Sequence, residues 1–278
     1  MLEKFQGGML GLAVGDSMCR TDGKWSEETQ IALIVSRCLS LNSPSEDYEK
    51  YFAMELAEWS KTQKEDSRNA DLATFFAAES GSPLENDSTC QVAFSVPVGF
   101  YFYRNIPKTI DFARSTAAAM TKDSSSQCCA VASALMGLYA ILDVPVGLWG
   151  NELTSFVKGI DNYLLEGIQM TTLLCAKHKK IDDFNTYLGG FSPAIVTVCG
   201  SLFCCMSYPN TIEKALETAV EMSGDNDAIA ATVGACMGAK FGLKGISEEK
   251  MTRLESKQLI LDAAGELFNG SKTTDPVE

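Results

Sequence analysis

Apolar positions recur at intervals of three and four along almost the whole chain, the spacing of one face of an α-helix. The pattern predicts helices over residues 48–61, 68–79, 108–121, 126–142, 165–178, 212–222, 228–242 and 257–268. Start signals support several of them: Ser124–Ser126 precede one helix, and Asn210 with Glu213 reads as a capping box before another. Alternation with period two is scarce. Residues 92–103 carry enough aliphatic and aromatic side chains to suggest a strand, but Pro97 favours a helix. Turns are expected at Gly81-Ser82-Pro83, Gly189-Gly190 and Tyr208-Pro209-Asn210. No linker, repeat or low-complexity segment divides the chain. The fold expected is all-α, a single multi-helix domain over residues 1–269 with a polar tail at 270–278.

Two segments are unusual for helices. Gly7, Gly8, Gly11 and Gly15 lie along the first, and Gly234, Ala235, Gly238 and Ala239 along that at 228–242. A glycine inside a helix costs about 1 kcal/mol against alanine. Close approach of a neighbouring helix would offset that, so both are expected at the centre of the domain.

Composition narrows the function. With 278 residues and 46% hydrophobic side chains, the chain can bury a large core. A net charge of −13 argues against nucleic-acid or anionic-membrane partners, though not against a nucleotide in a local pocket. The longest apolar run, 128–142, is shorter than the roughly 20 residues that span a bilayer. Ten cysteines, including Cys128-Cys129 and Cys204-Cys205 within apolar runs, show no zinc-ribbon spacing and read as buried reduced thiols. The N-terminus lacks the form of a secretory leader, so a cytoplasmic protein is expected. His178 is the only histidine, and it sits among Lys177, Lys179 and Lys180 at a helix end. Histidine triads and histidine metal sites are therefore nearly excluded.

The candidate chemistry lies in two acidic motifs at opposite ends of the sequence. Trp25-Ser26-Glu27-Glu28-Thr29 follows the glycine-rich helix, which closes on Gly15-Asp16-Ser17. Ser223-Gly224-Asp225-Asn226-Asp227 precedes the helix at 228–242. Serine and aspartate cap helices, and glutamate suits the first turn, so each motif alone has a structural explanation. If the two helix starts meet, Ser26, Glu27, Glu28, Asp225 and Asp227 pool oxygen donors suited to Mg²⁺, Mn²⁺ or Ca²⁺.

These motifs resemble those of the ADP-ribosylglycohydrolases of the dinitrogenase-reductase-activating type. Gly11-Leu12-Ala13-Val14-Gly15-Asp16-Ser17 with residues 23–33 is similar to the family's G-x-x-x-G-D-A-x-G…W-[ST]-D-D-T, and residues 223–242 to its G-G-D-T-D-T and the following helix. Between them, Asn86-Asp87-Ser88-Thr89-Cys90-Gln91-Val92-Ala93 resembles N-G-S-x-M-R-x-A, and Met120-Thr121-Lys122 resembles x-T-H. The resemblance spans almost the whole chain and also favours a helix at 92–103. It implies a monomeric, metal-dependent hydrolase acting on an ADP-ribosylated protein or small molecule, with one or two Mg²⁺ or Mn²⁺ ions at Ser26, Glu27, Glu28, Asp225 and Asp227. Asp16, Glu27 and Glu28 would be catalytic. Asn86, Asp87, Ser88, Thr121, Lys122 and Gly190 would bind substrate.

The departures are specific. Glu27-Glu28 replace two aspartates, Ala228 a threonine, Asp87 a glycine near the expected diphosphate path, and Lys122 a histidine. The loop after Asp16 is short and lacks the family's glutamate; Asp22 is its only acid, and an Asp-Gly turn with Gly23 explains that residue equally well. Lys122 reads as a surface lysine or as a positive charge offsetting Asp87 or a phosphate. Two further functions stay open: a non-catalytic relative that binds a ligand or partner, and a hydrolase acting on a different glycosidic or phosphoester bond.

Overall fold

The computed structural model describes residues 1–20, 23–41, 48–62, 83–85, 89 and 91–273. Among them there is no strand, only an isolated parallel bridge between Leu84 and Thr121. The helices are α1 (Leu2–Met18), α2 (Glu27–Leu41), α3 (Tyr48–Thr62), α4 (Gln91–Phe94), α5 (Val96–Tyr101), α6 (Ile106–Ala118), α7 (Ser124–Ile141) and α8 (Trp149–Val157). They continue with α9 (Asn162–Ala176), α10 (Ile181–Leu188), α11 (Pro193–Ser207), α12 (Ile212–Val220), α13 (Asn226–Phe241), α14 (Glu248–Arg253) and α15 (Lys257–Ser271).

The fold is organised around α1 and α13, which pack more extensively than any other pair. Their backbones meet along the glycine faces. Gly7 lies against Gly238, Gly11 against Gly234 and Gly15 against Ala230, so the helices run antiparallel. A β-carbon at Gly11 or Gly15 would stand 2.0 Å from a carbonyl oxygen of α13. Only glycine permits that approach. The pairing sets the last turn of α1, with Asp16, beside the first turn of α13, with Asp227. This is how residues at opposite ends of the chain become neighbours.

The second buried axis is α7. It has the length and apolar character of a membrane span, yet 83% of it lies inside the protein, packed by α5, α6 and α11. The core between α1, α5 and α15 is aromatic, with Phe5 meeting Phe100, Tyr103 and Phe268.

Several boundaries differ from expectation. Residues 92–103 are helical, broken between α4 and α5 with Pro97 in the first turn of α5. The expected capping box at Asn210 and Glu213 does not form; Thr211 occupies the cap of α12 without a side-chain bond. Helix α7 is capped by Asp123, whose carboxylate accepts from Ser126 N–H, rather than by a serine. Helix α6 starts at Ile106 because the Asn105 side chain accepts from Lys108 N–H. The expected helix at 68–79 lies outside the described residues, as do Gly81 and Ser82 of one expected turn.

Candidate active site

Asp16 ends the glycine face of α1 and is completely buried. Its Oδ1 accepts from the Ser26 hydroxyl at 2.6 Å. Its Oδ2 accepts from Ser26 N–H at 2.8 Å, Thr29 N–H at 3.1 Å and the Thr29 hydroxyl at 2.6 Å. Asp16 and Ser26 therefore cap α2 together: the Asp16 carboxylate, supplied from α1, takes Thr29 N–H, and the Ser26 hydroxyl accepts from Glu28 N–H at 3.4 Å. Burial raises the Asp16 pKa above its ordinary value, while the hydrogen bonds from Ser26 and Thr29 oppose the rise. Both oxygens face inward to α2, so Asp16 positions the start of that helix. Glu27 and Glu28 follow in its first turn, and both are buried. The positive end of the helix dipole favours them there.

Asp225 caps α13 through Ala228 N–H at 3.3 Å, and its other oxygen accepts from the Thr89 hydroxyl. That bond joins the segment at 86–93 to the C-terminal motif. Asp225 and Asp227 also share a hydrogen bond. Burial, then that bond and the Asp227 charge, lift the Asp225 carboxyl from 3.8 to about 7. It is thus a carboxyl that holds a proton near neutrality. Cys19 reports that the two motifs meet: its thiol is pushed up to about 12 by burial and then by the charges of Asp227, Asp16 and Asp225.

A cleft of about 410 Å³ is lined by Asp123, Ser125, Tyr163, Glu166, Gly190 and Phe191. Ile195 completes one wall from α11, and the next residue, Val196, stands against Gly224 of the acidic motif.

A sequence model of the ADP-ribosylglycohydrolase family matches residues 1–276. The chain belongs to that family. A solved structure described as an "ADP-ribosylglycohydrolase-related protein complex" superposes with a TM-score of 0.74. The match covers 97% of this chain and 98% of that one at 18% identity, a likeness of fold. No curated protein matches the sequence. As a family member the chain is a hydrolase of the glycohydrolase type; the family is typically metal-dependent and acts on ADP-ribosylated substrates.

The expected pooling of four carboxylates is not seen in full. Among the described residues, no three carboxylate, imidazole or thiol side chains converge closely enough to hold a metal ion by themselves. Asp225 is engaged by Ala228 N–H, Thr89 and Asp227. The donors nevertheless fit a hard cation in kind. They are carboxylates and hydroxyls, and the neighbouring Asp225 and Asp227 carboxyls disfavour each other's charge unless a proton or a cation stands between them.

The substrate-binding expectations divide four ways. Gly190 is exposed and lines the cleft. Thr121 is completely buried, its hydroxyl accepting from Asp123 N–H at 3.1 Å and its carbonyl from Gln127 at 2.9 Å. It shapes the turn into α7 instead of facing the cleft. Lys122 is exposed and pairs with Glu85 at 2.5 Å. Asn86, Asp87 and Ser88, and Asp22 in the first loop, lie outside the described residues. Sequence reasoning passed over Thr29, Thr89 and Cys19 as parts of the site. Thr29 and Thr89 stand inside the quoted motifs, and only the fold reveals what their hydroxyls hold.

Proposed function

We propose that this chain is a metal-dependent hydrolase that cleaves an ADP-ribosyl glycosidic bond on a protein or small molecule. The observation that carries the reading is the meeting of α1 and α13, which places Asp16, Cys19, Asp225 and Asp227 in one electrostatic environment. Ser26, Glu27, Glu28, Asp225 and Asp227 would hold Mg²⁺ or Mn²⁺. A divalent ion there supplies a more acidic water and polarises ribose oxygens.

The protein's own contribution is threefold. Asp16 fixes the head of α2 and so aims Glu27 and Glu28. Asp225, held at the head of α13 by Ala228 N–H and Thr89, presents the oxygen donors of the C-terminal motif. The cleft at Gly190, with Tyr163 and Phe191, suits the nucleotide portion, its aromatic rings offering faces for a base. With buried cysteines in the reduced form, a cytoplasmic setting is part of the proposal.

A non-catalytic binding role is favoured by one specific feature: Ala228 is buried where the family has a threonine hydroxyl. Thermal shift with Mg²⁺ or Mn²⁺, then ADP-ribose titration, tests the readings. The hydrolase reading expects a rise in melting temperature with metal, lost in the double variant Asp225→Asn/Asp227→Asn, and chelator-sensitive release of ADP-ribose. Metal binding without ADP-ribose binding points to another substrate. An unchanged metal response in the double variant removes the site.

A further inference from the structure

A second cavity, of about 450 Å³, opens at the other end of the same turn of α1. Its walls are Val14 and Met18 of α1, Leu254 after α14, and three cationic side chains: Arg20, Lys250 and Arg253. Three cations around one cavity run against the balance of a chain with net charge −13. Arg253 is exposed and bridges Glu249 at 2.8 Å on the rim. Lys250 is half-buried, and its ammonium makes no hydrogen bond or ion pair with any described residue. A cavity-lining ammonium with no partner among the described residues can take an anion.

The cavity adjoins the acidic centre. Asp16 faces α2, while Ser17, Met18 and Arg20 line the cavity. Gly23, at φ 70°, turns the chain back towards Ser26. Its volume falls in the range of roughly 300–1,000 Å³ typical of ligand sites, far more than a lone phosphate fills. Its apolar wall would also be wasted on a purely ionic ligand.

We propose that this cavity binds an acidic, partly apolar peptide segment, the stretch of a protein target that flanks its modified side chain. Its purpose rests on the ADP-ribosyl hydrolase reading, and it narrows that reading to a protein substrate. The nucleotide cleft at Gly190 and the cationic cavity would then take the two sides of the scissile bond.

The test uses the full-length protein with Mg²⁺ present and a fluorescein-labelled peptide of alternating glutamate and leucine. Its glutamine counterpart, inorganic phosphate and ADP-ribose serve as comparisons. Anisotropy should show binding of the acidic peptide, failure of the glutamine peptide, and salt sensitivity. Lys250→Glu with Arg253→Glu should weaken the peptide on the order of tenfold or more, because attraction becomes repulsion at two positions. Both residues are at or near the surface, and circular dichroism checks that the variant folds. ADP-ribose affinity should stay unchanged. Equal binding of both peptides, or no loss in the double variant, overturns the proposal. So does displacement of the peptide by phosphate at matched charge concentration, which would make the cavity a phosphate site. ADP-ribose binding without peptide binding sinks this inference alone. Peptide binding without ADP-ribose binding sinks the hydrolase reading and leaves the acidic-peptide site standing.

Discussion

Replacing Gly11 by alanine tests the arrangement on which the site depends. The new β-carbon would lie 2.0 Å from Gly234 O, 2.8 Å from Gly234 C and 3.2 Å from Gly238 Cα. All three are backbone atoms of α13, so no side chain can rotate away. Ordinary contact needs more than 3 Å, so the helices must separate by about 1 Å along their longest shared face. Overpacking of this kind costs about 1–3 kcal/mol, and a backbone-to-backbone clash belongs at the upper end. The helix propensity of alanine returns about 1 kcal/mol. The expected net loss is about 2 kcal/mol, or a fall in melting temperature of roughly 3–4 °C for a domain of this size. Gly265→Ala supplies the control. It lies within α15 with nothing within 4 Å of the added carbon, so it should gain about 0.5–1 kcal/mol. Urea denaturation of both variants measures the difference. Separation of α1 from α13 should also weaken the metal response, because Asp16 and Asp227 move apart. If Gly11→Ala is as stable as Gly265→Ala, the close packing of the two helices is wrong, and the route by which the motifs meet falls with it.

Further outcomes follow from single side chains. The Asp225 carboxyl is raised in the folded state, so the native protein binds a proton that the unfolded chain has released. Metal-free stability should therefore fall as pH rises from about 4 through about 7 and level off above. Three pH units correspond to about 4 kcal/mol, which partial exposure reduces to about 2 kcal/mol. Asp225→Asn, which keeps the cap, should remove that slope and exceed the wild type by about 2 kcal/mol near pH 8 in chelator; equal slopes in urea unfolding would contradict the assignment. Thr29→Val should cost about 2–3 kcal/mol by stripping a hydroxyl donor from the buried Asp16 carboxylate, while Thr29→Ser should cost little; chemical denaturation separates them. Lys122→Ala should change stability by less than about 0.5 kcal/mol, since its bridge to Glu85 is exposed, and calorimetry should show unaltered ADP-ribose affinity.

The sequence by itself determined the all-α class, because helical periodicity is local and written in nearly every segment. It also determined that α1 and α13 are central, because repeated glycine inside a helix is costly unless another backbone comes close. The acidic motifs and the family were legible for a related reason: short runs at helix starts carry their chemistry in consecutive residues. Only the tertiary structure decided how those residues are used. Ser26 looked like the cap of α2 and its hydroxyl does accept from Glu28 N–H, but Thr29 N–H is taken by Asp16 from another helix, which no local pattern encodes. Thr121 looked like a ligand contact and is buried in a turn, while Thr89 reaches Asp225 from a distant segment. The raised pKa of Asp225 likewise comes from burial and a carboxylate neighbour two residues on, a consequence of where the head of α13 is packed. The cationic cavity shows the same division. Arg20 and Lys250 are unremarkable in sequence, and they meet only because α14 folds back against the end of α1. Periodicity and capping are properties of neighbouring residues, whereas burial, shared protons and pooled charge belong to the assembled fold.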